Sequence, residues 1–107
     1  MNRHYITPEE FDRKLNSGEL LNDLIVDVRE LEERNYYHLE PSVHIPMNSI
    51  PEMLGKFPTD HKIYILCAHG VRSEMVVRYL LHNGLENVVN VEGGMAAVAG
   101  LRGFAYD

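Results

Sequence analysis

Three runs of this chain, Leu24-Ile25-Val26-Asp27-Val28, Ile63-Tyr64-Ile65-Leu66 and Val88-Val89-Asn90-Val91, are too short for helices and almost continuously apolar. A strand with one wet face alternates apolar and polar side chains, whereas a strand covered on both faces does not. The runs therefore predict strands buried on both sides. Between them lie stretches with helical spacing: Arg72 to Asn83 places Met75, Val76, Tyr79 and Leu80 on one face. Strands alternating with helices give an open parallel α/β sheet of about five short strands, with helices on both faces.

Local signals divide the rest of the chain. Thr7 can cap a helix, Pro8 suits its first position, and Glu10 stands where a capping box places its return carboxylate. Ile6 and Phe11 have the spacing of a hydrophobic staple, and the helix should stop at Ser17-Gly18. Glu30 to Tyr36 reads as a short helix whose Glu30, Glu32 and Glu33 form a wet face. Val43-His44-Ile45, between Pro41 and Pro46, has room for a very short strand, and Met47 to Lys56 for a short helix at most. Gly84 ends the long helix, with Leu85 placed to pack back on it. Gly93-Gly94 turns the chain into a last helix around Met95 to Ala99. Met47, Met53, Met75 and Met95 read as core fillers.

At 107 residues the chain has the length of one domain, taken as 1–107. Ten Lys and Arg against 16 Asp and Glu leave a net charge of −6, which argues against nucleic acid or an anionic membrane surface as partner. No apolar run approaches the ~20 residues of a membrane span. The segment Met1-Asn2-Arg3-His4-Tyr5 carries no export signal, and one cysteine cannot form an internal disulfide. Both point to the cytoplasm. The six histidines show no paired spacing of two to five residues, so no metal site and no cofactor is expected.

The chemistry concentrates in Cys67-Ala68-His69-Gly70-Val71-Arg72-Ser73. In an open α/β sheet, ligands bind beyond the carboxyl ends of the strands, and Cys67 stands at such an end. The chain then turns at once into a helix, so backbone N–H groups converge near the sulfur and form a nest for an anion. Arg72 adds a fixed positive charge. A lone cysteine after a buried strand is by itself more often an inert core residue. It is the joint pattern of strand, cysteine, glycine-containing loop, arginine and helix that describes a nucleophilic sulfur under an anion cradle. His69 reads equally as a substrate contact or as a solvated loop residue.

These residues resemble the rhodanese-like sulfurtransferase domains, over nearly the whole chain. Ile6 to Phe11 looks like that family's opening helix, and Leu24 to Glu30, with Asp27-Val28-Arg29, like its Asp-Val-Arg motif after the second strand. His38 with Val43-His44-Ile45-Pro46 is similar to its Gly-His-Ile…Ile-Pro segment. The cysteine loop matches Cys-x-x-Gly-x-Arg-Ser, and Glu92-Gly93-Gly94 matches Glu-Gly-Gly. The resemblance implies that Cys67 carries a sulfane sulfur as a persulfide and that Ala68, His69, Gly70, Val71, Arg72 and Ser73 bind the substrate. Asp27 and Arg29 are expected to be structural support, since buried charges survive only when paired. The implied partners are a small anionic sulfur donor and a thiol or cyanide acceptor, with a protein persulfide as a further donor or acceptor. Tyr37 and Pro41 stand where the family places glycine, so the loop at the site entrance should take its own path. Val98 stands near the family's usual tryptophan. Two alternatives remain at this point: a cysteine-dependent phosphatase or arsenate reductase, and a non-enzymatic sulfur-carrier or interaction module.

Overall fold

The computed structural model describes residues 3–106. Its five parallel strands are β1 (Tyr5–Ile6), β2 (Leu24–Asp27), β3 (Val43–His44), β4 (Ile63–Leu66) and β5 (Val88–Val91). They lie side by side in the order β1-β5-β4-β2-β3, which puts β4 at the centre. The four helices are α1 (Pro8–Ser17), α2 (Leu31–Tyr36), α3 (Val71–His82) and α4 (Gly94–Leu101). Two 3-10 turns, Met47–Ser49 and Pro51–Lys56, stand where at most a short helix was expected.

The pleat assigns each strand residue to a side, because successive side chains point to opposite faces. From β4, Ile63, Ile65 and the following Cys67 enter one core with Val26, Val28, Val76, Val77, Leu80 and Leu85. Tyr64 and Leu66 enter the other with Phe11, Ile25, Val89, Val91, Met95 and Val98. Cys67 thus faces the side that α3 covers. Its side is fixed by parity with Ile63 and Ile65.

Most helix ends follow their local signals. The Thr7 hydroxyl accepts from the Glu10 N–H at 3.2 Å, and Gly18 closes α1 in the left-handed region. Ile6 and Phe11 share one core, as a staple requires. The Glu10 carboxylate, however, is held by Arg13 at 2.8 and 2.9 Å rather than returning to the cap. An i,i+3 cation outcompetes the return bond there. On α3 the inward face is Ser73, Val76, Val77 and Leu80, while Met75 and Tyr79 are exposed. The apolar pattern misplaced this face because a buried serine takes one of its core positions. Met95 is fully buried, but Met75 is no core filler. No helix among the described residues is long and apolar enough to cross a membrane.

Candidate active site

Cys67 follows the central strand directly and is 1% exposed. The loop after it is pinned from the sheet's other flank. The Met95 and Ala96 N–H groups at the start of α4 donate to the carbonyls of Cys67 and Ala68 at 2.7 and 2.9 Å. Those donors are among the amides a helix leaves unpaired at its N-terminus, so the loop and α4 satisfy each other. In a trans peptide the N–H points opposite to the C=O. Holding these two carbonyls on α4 therefore aims the Ala68 and His69 N–H groups away from it.

Gly94 permits this close approach. A Cβ at Gly94 would stand 2.5 Å from the Cys67 carbonyl oxygen and 2.7 Å from the Ala68 carbonyl, and its φ of +61° is in the left-handed region. Gly70 has a similar role inside the loop, at φ +93°, with the Gly93 nitrogen 3.0 Å from where its Cβ would lie. The glycines of Glu92-Gly93-Gly94 are thus part of the sulfur loop's mounting.

Around the sulfur the hydrogen bonds close into a ring. The Gly70 N–H donates to Cys67 Sγ at 3.0 Å, and the Cys67 thiol donates to Ser73 Oγ at 3.2 Å. Ser73 donates in turn to Asn90 Oδ1, and Asn90 Nδ2 donates to the Gly70 carbonyl at 3.3 Å. Ser73 and Asn90 are both buried. Asn90 was read only as a strand residue. The signal was present, since it is the one polar side chain in Val88-Val89-Asn90-Val91 and a buried amide needs partners.

Arg72 turns toward α2. Its two terminal nitrogens each donate to a Glu33 carboxylate oxygen at 2.7 Å. Glu33 is therefore not simply part of a wet face; its other tie is the Glu30 N–H, which donates to Oε1 at 2.9 Å. The Arg72 guanidinium holds the Glu33 carboxyl well below the usual carboxylate range, at about 2, against a smaller opposing effect of burial. Ala68 is buried against α4, whereas His69 and Val71 are exposed on the rim. The His69 ring stands edge-on to Tyr106, 6.2 Å between centroids.

Asp27 and Arg29 lie one strand away, with Asp27 in register with Leu66. Both are fully buried and joined by two side-chain hydrogen bonds of 2.8 and 2.9 Å, with a third at 3.1 Å from the Arg29 backbone N–H to Asp27. Arg29 also donates to the carbonyls of Glu33 and Tyr37 and to the Tyr106 hydroxyl, while Arg34 reaches Asp27 and Ser42. The pair thus ties α2, the following loop and the C-terminal segment to the end of β2. Tyr37 stacks on Phe104, with centroids 4.3 Å apart, which joins this stretch to the C-terminal segment. Pro41 lies exposed in the turn before β3. Among the described residues no group of three or more His, Cys, Asp and Glu side chains is placed to hold a metal ion.

A central parallel strand that delivers a cysteine into a short amide-lined loop, backed by a Gly-Gly helix start, defines a class of α/β domain. Residues 7–100 match the model of the rhodanese-like domain, and the chain belongs to that family. The Bacillus subtilis (strain 168) protein YrkF, provisionally described as a sulfur carrier protein, is 40% identical over 90 residues. That match covers 84% of this chain and 48% of YrkF, so the chain spans about half of that relative's length. A rhodanese-like domain protein of Staphylococcus aureus is 44% identical at a TM-score of 0.78, covering 88% of this chain and 89% of that one. The Saccharomyces cerevisiae single-domain sulfurtransferase RDL2 is 26% identical at a TM-score of 0.77, covering 96% and 94%.

Proposed function

We propose that this chain transfers sulfane sulfur through a persulfide on Cys67. The observation that carries the reading is the loop itself: Gly70 N–H lies on a buried sulfur, inside a ring only four residues long between Cys67 and Arg72. A persulfide adds one atom above the sulfur, and its charge then meets backbone N–H groups in place of water.

In the first half-reaction the Cys67 thiolate attacks the outer sulfur of thiosulfate. A Cys67–S–S⁻ bond forms, the donor's S–S bond breaks, and sulfite leaves with the electron pair. In the second, cyanide or a thiolate attacks the outer sulfur, and Cys67 leaves as thiolate. Thiocyanate is the product with cyanide, and a new persulfide with a thiol. A protein persulfide can replace thiosulfate as donor, its own thiolate then being the leaving group. Each step breaks one sulfur–sulfur bond and forms one new bond to the transferred sulfur, S–S with a thiol or C–S with cyanide, so the electrons balance within the reactants. Ala68, His69, Gly70, Val71, Arg72 and Ser73 form the substrate cradle, and Asp27 with Arg29 supports it. The reaction suits a reducing compartment such as the cytoplasm, where the thiol stays reduced.

Mass spectrometry after exposure to thiosulfate tests the reading. The expected result is a gain of one sulfur atom, removed by dithiothreitol and absent from Cys67→Ser. Failure to gain sulfur from thiosulfate or from a protein persulfide overturns it. The likeness to YrkF favours a second reading, a carrier that loads sulfur but hands it only to a dedicated partner. A carrier would load once and turn over slowly with cyanide, whereas an enzyme would cycle.

A further inference from the structure

We propose that Asn90 is a positioning residue for the sulfur nucleophile, holding the only proton of the Ser73 hydroxyl away from Cys67. The inference deepens the sulfur-transfer reading but is tested without any sulfur donor.

The direction of each bond around the ring follows from what the atoms can do. Asn90 Oδ1 accepts and cannot donate, so Ser73 must spend its one O–H on it. The Cys67 S–H then has Ser73 Oγ as acceptor. The amide cannot be reversed at no cost, because Asn90 Nδ2 faces the Gly70 carbonyl. Reversal would set two acceptor oxygens against each other.

Ionisation of Cys67 breaks this arrangement. The S–H is gone, and a thiolate calls for donors. Gly70 N–H already serves it at 3.0 Å. Ser73 could add a second donor only by leaving Asn90 Oδ1 buried and unpaired, a loss that buried acceptors resist. The hydroxyl therefore stays on Asn90, and the free thiolate is less stabilised than its surroundings suggest. Once the persulfide forms, the charge sits on the outer sulfur, toward the loop, and Cys67 Sγ makes no demand on Ser73. The ring thus penalises the empty thiolate but not the loaded state. Each thiolate that forms is then the stronger nucleophile, although fewer form at a given pH.

Alkylation by iodoacetamide, measured as rate against pH on the intact protein, reads this directly. The charged and titratable side chains of the elements that meet at the loop are Arg72 and Glu74 of α3, Glu33 of α2 paired with Arg72, His69, the Asp27–Arg29 pair at the end of β2, Glu92 after β5 and Tyr106. Replacing Asn90 by a neutral residue removes no charge from that set. Asn90→Val suits a strand, and the Gly70 carbonyl keeps the Glu74 N–H at 3.3 Å. It should free Ser73 to donate to the thiolate and move the alkylation midpoint down by about half a unit to one unit, a roughly three- to tenfold larger thiolate fraction below it. Ser73→Ala in the otherwise unaltered protein should not raise the midpoint, because the hydroxyl it removes gives its proton to Asn90 and serves sulfur only as acceptor of the S–H. In the Ser73→Ala background, Asn90→Val should have no effect. An equal shift by Asn90→Val in both backgrounds overturns the proposal, as does no shift at all. So does an upward shift of about a unit or more in Ser73→Ala alone, which needs no Asn90 variant to fold.

Discussion

The guanidinium of Arg72 and the carboxylate of Glu33 meet in two parallel hydrogen bonds of 2.7 Å, joining the first turn of α3 to α2 across 39 positions of sequence. Paired, planar contacts of this kind are the strong form of the interaction. Both terminal nitrogens of Arg72 are committed at the loop rim. In the proposed reaction the backbone amides of the loop are the immediate cradle for an incoming anion, and Arg72 contributes its charge from a position fixed by Glu33.

Glu33→Gln tests this pair through pH. With its carboxyl drawn down to about 2 from the ordinary 4.5, chiefly by the bonds from Arg72, Glu33 stabilises the folded chain at pH values above 4.5. That contribution is lost as pH falls from 4.5 through 2, where the folded protein must also take up the proton. About a third of each side chain is exposed, and solvent screening reduces the effect to about 1 kcal/mol. Urea midpoints should show the wild type ahead of Glu33→Gln by that amount at neutral pH, with the gap closing in acid. A gap that ignores pH would mean that shape rather than charge joins the two residues.

What the sequence made legible depended on how near the deciding atoms lie. Thr7, Pro8 and Gly18 act on backbone groups within a few residues, and α1 begins and ends where they say. The apolar runs state that β2, β4 and β5 are covered on both sides, which suffices for the sheet. The cysteine loop was legible as a unit because its spacing is local. Glu33 was not, since nothing near it in sequence tells which of three neighbouring glutamates meets an arginine 39 positions away. Asn90 and Ser73 satisfy each other from β5 and α3, so each looks like an ordinary residue on its own element. Met75 and Tyr79 were misplaced for the same reason: the seat of a buried serine is visible only once its partner is known.

Gly94→Ala should cost far more than a glycine substitution elsewhere. A methyl group there meets backbone atoms of Cys67 and Ala68 at 2.5 and 2.7 Å, on top of an unfavourable φ. Strain and overpacking together predict a loss of on the order of 2–4 kcal/mol. Gly84, also at positive φ but with nothing within 4 Å of its Cβ position, is the control and should lose only about 1 kcal/mol on the same change. Chemical denaturation of the two variants measures the difference. Equal losses would show that α4 does not press on the sulfur loop.

Asp27→Asn addresses the buried pair on β2. The carboxylate is fully buried and accepts from Arg29 and Arg34, so the amide leaves Arg29 without its compensating charge. Breaking a buried pair from one side costs about 3–5 kcal/mol. The remaining bonds from Arg29 to Tyr106 and to the carbonyls of Glu33 and Tyr37 place the expected loss at the lower end. Hydrogen exchange should quicken in α2 before it does in β4. Uniform quickening would mean that the pair holds the whole sheet rather than this corner.

Loop size separates sulfur chemistry from phosphate chemistry. Four residues, Ala68, His69, Gly70 and Val71, stand between Cys67 and Arg72, and the Gly70 N–H already rests on the sulfur at 3.0 Å. A phosphate or arsenate must bring a central atom and three oxygens inside such a ring while the sulfur attacks in line. One extra sulfur needs far less room. The protein should therefore accept sulfur from thiosulfate and leave aryl phosphates unhydrolysed above the buffer rate. Inserting one glycine after Gly70 would widen the ring, but it would also displace the residue whose N–H and carbonyl serve Cys67 and Asn90. Sulfur loading by that variant should fall at least about tenfold, the order expected when one positioned donor at a reacting centre is lost. Efficient aryl phosphate hydrolysis by the unaltered chain, without any uptake of sulfur, would show that ring size is the wrong criterion and that a tetrahedral anion fits where one added sulfur atom was placed.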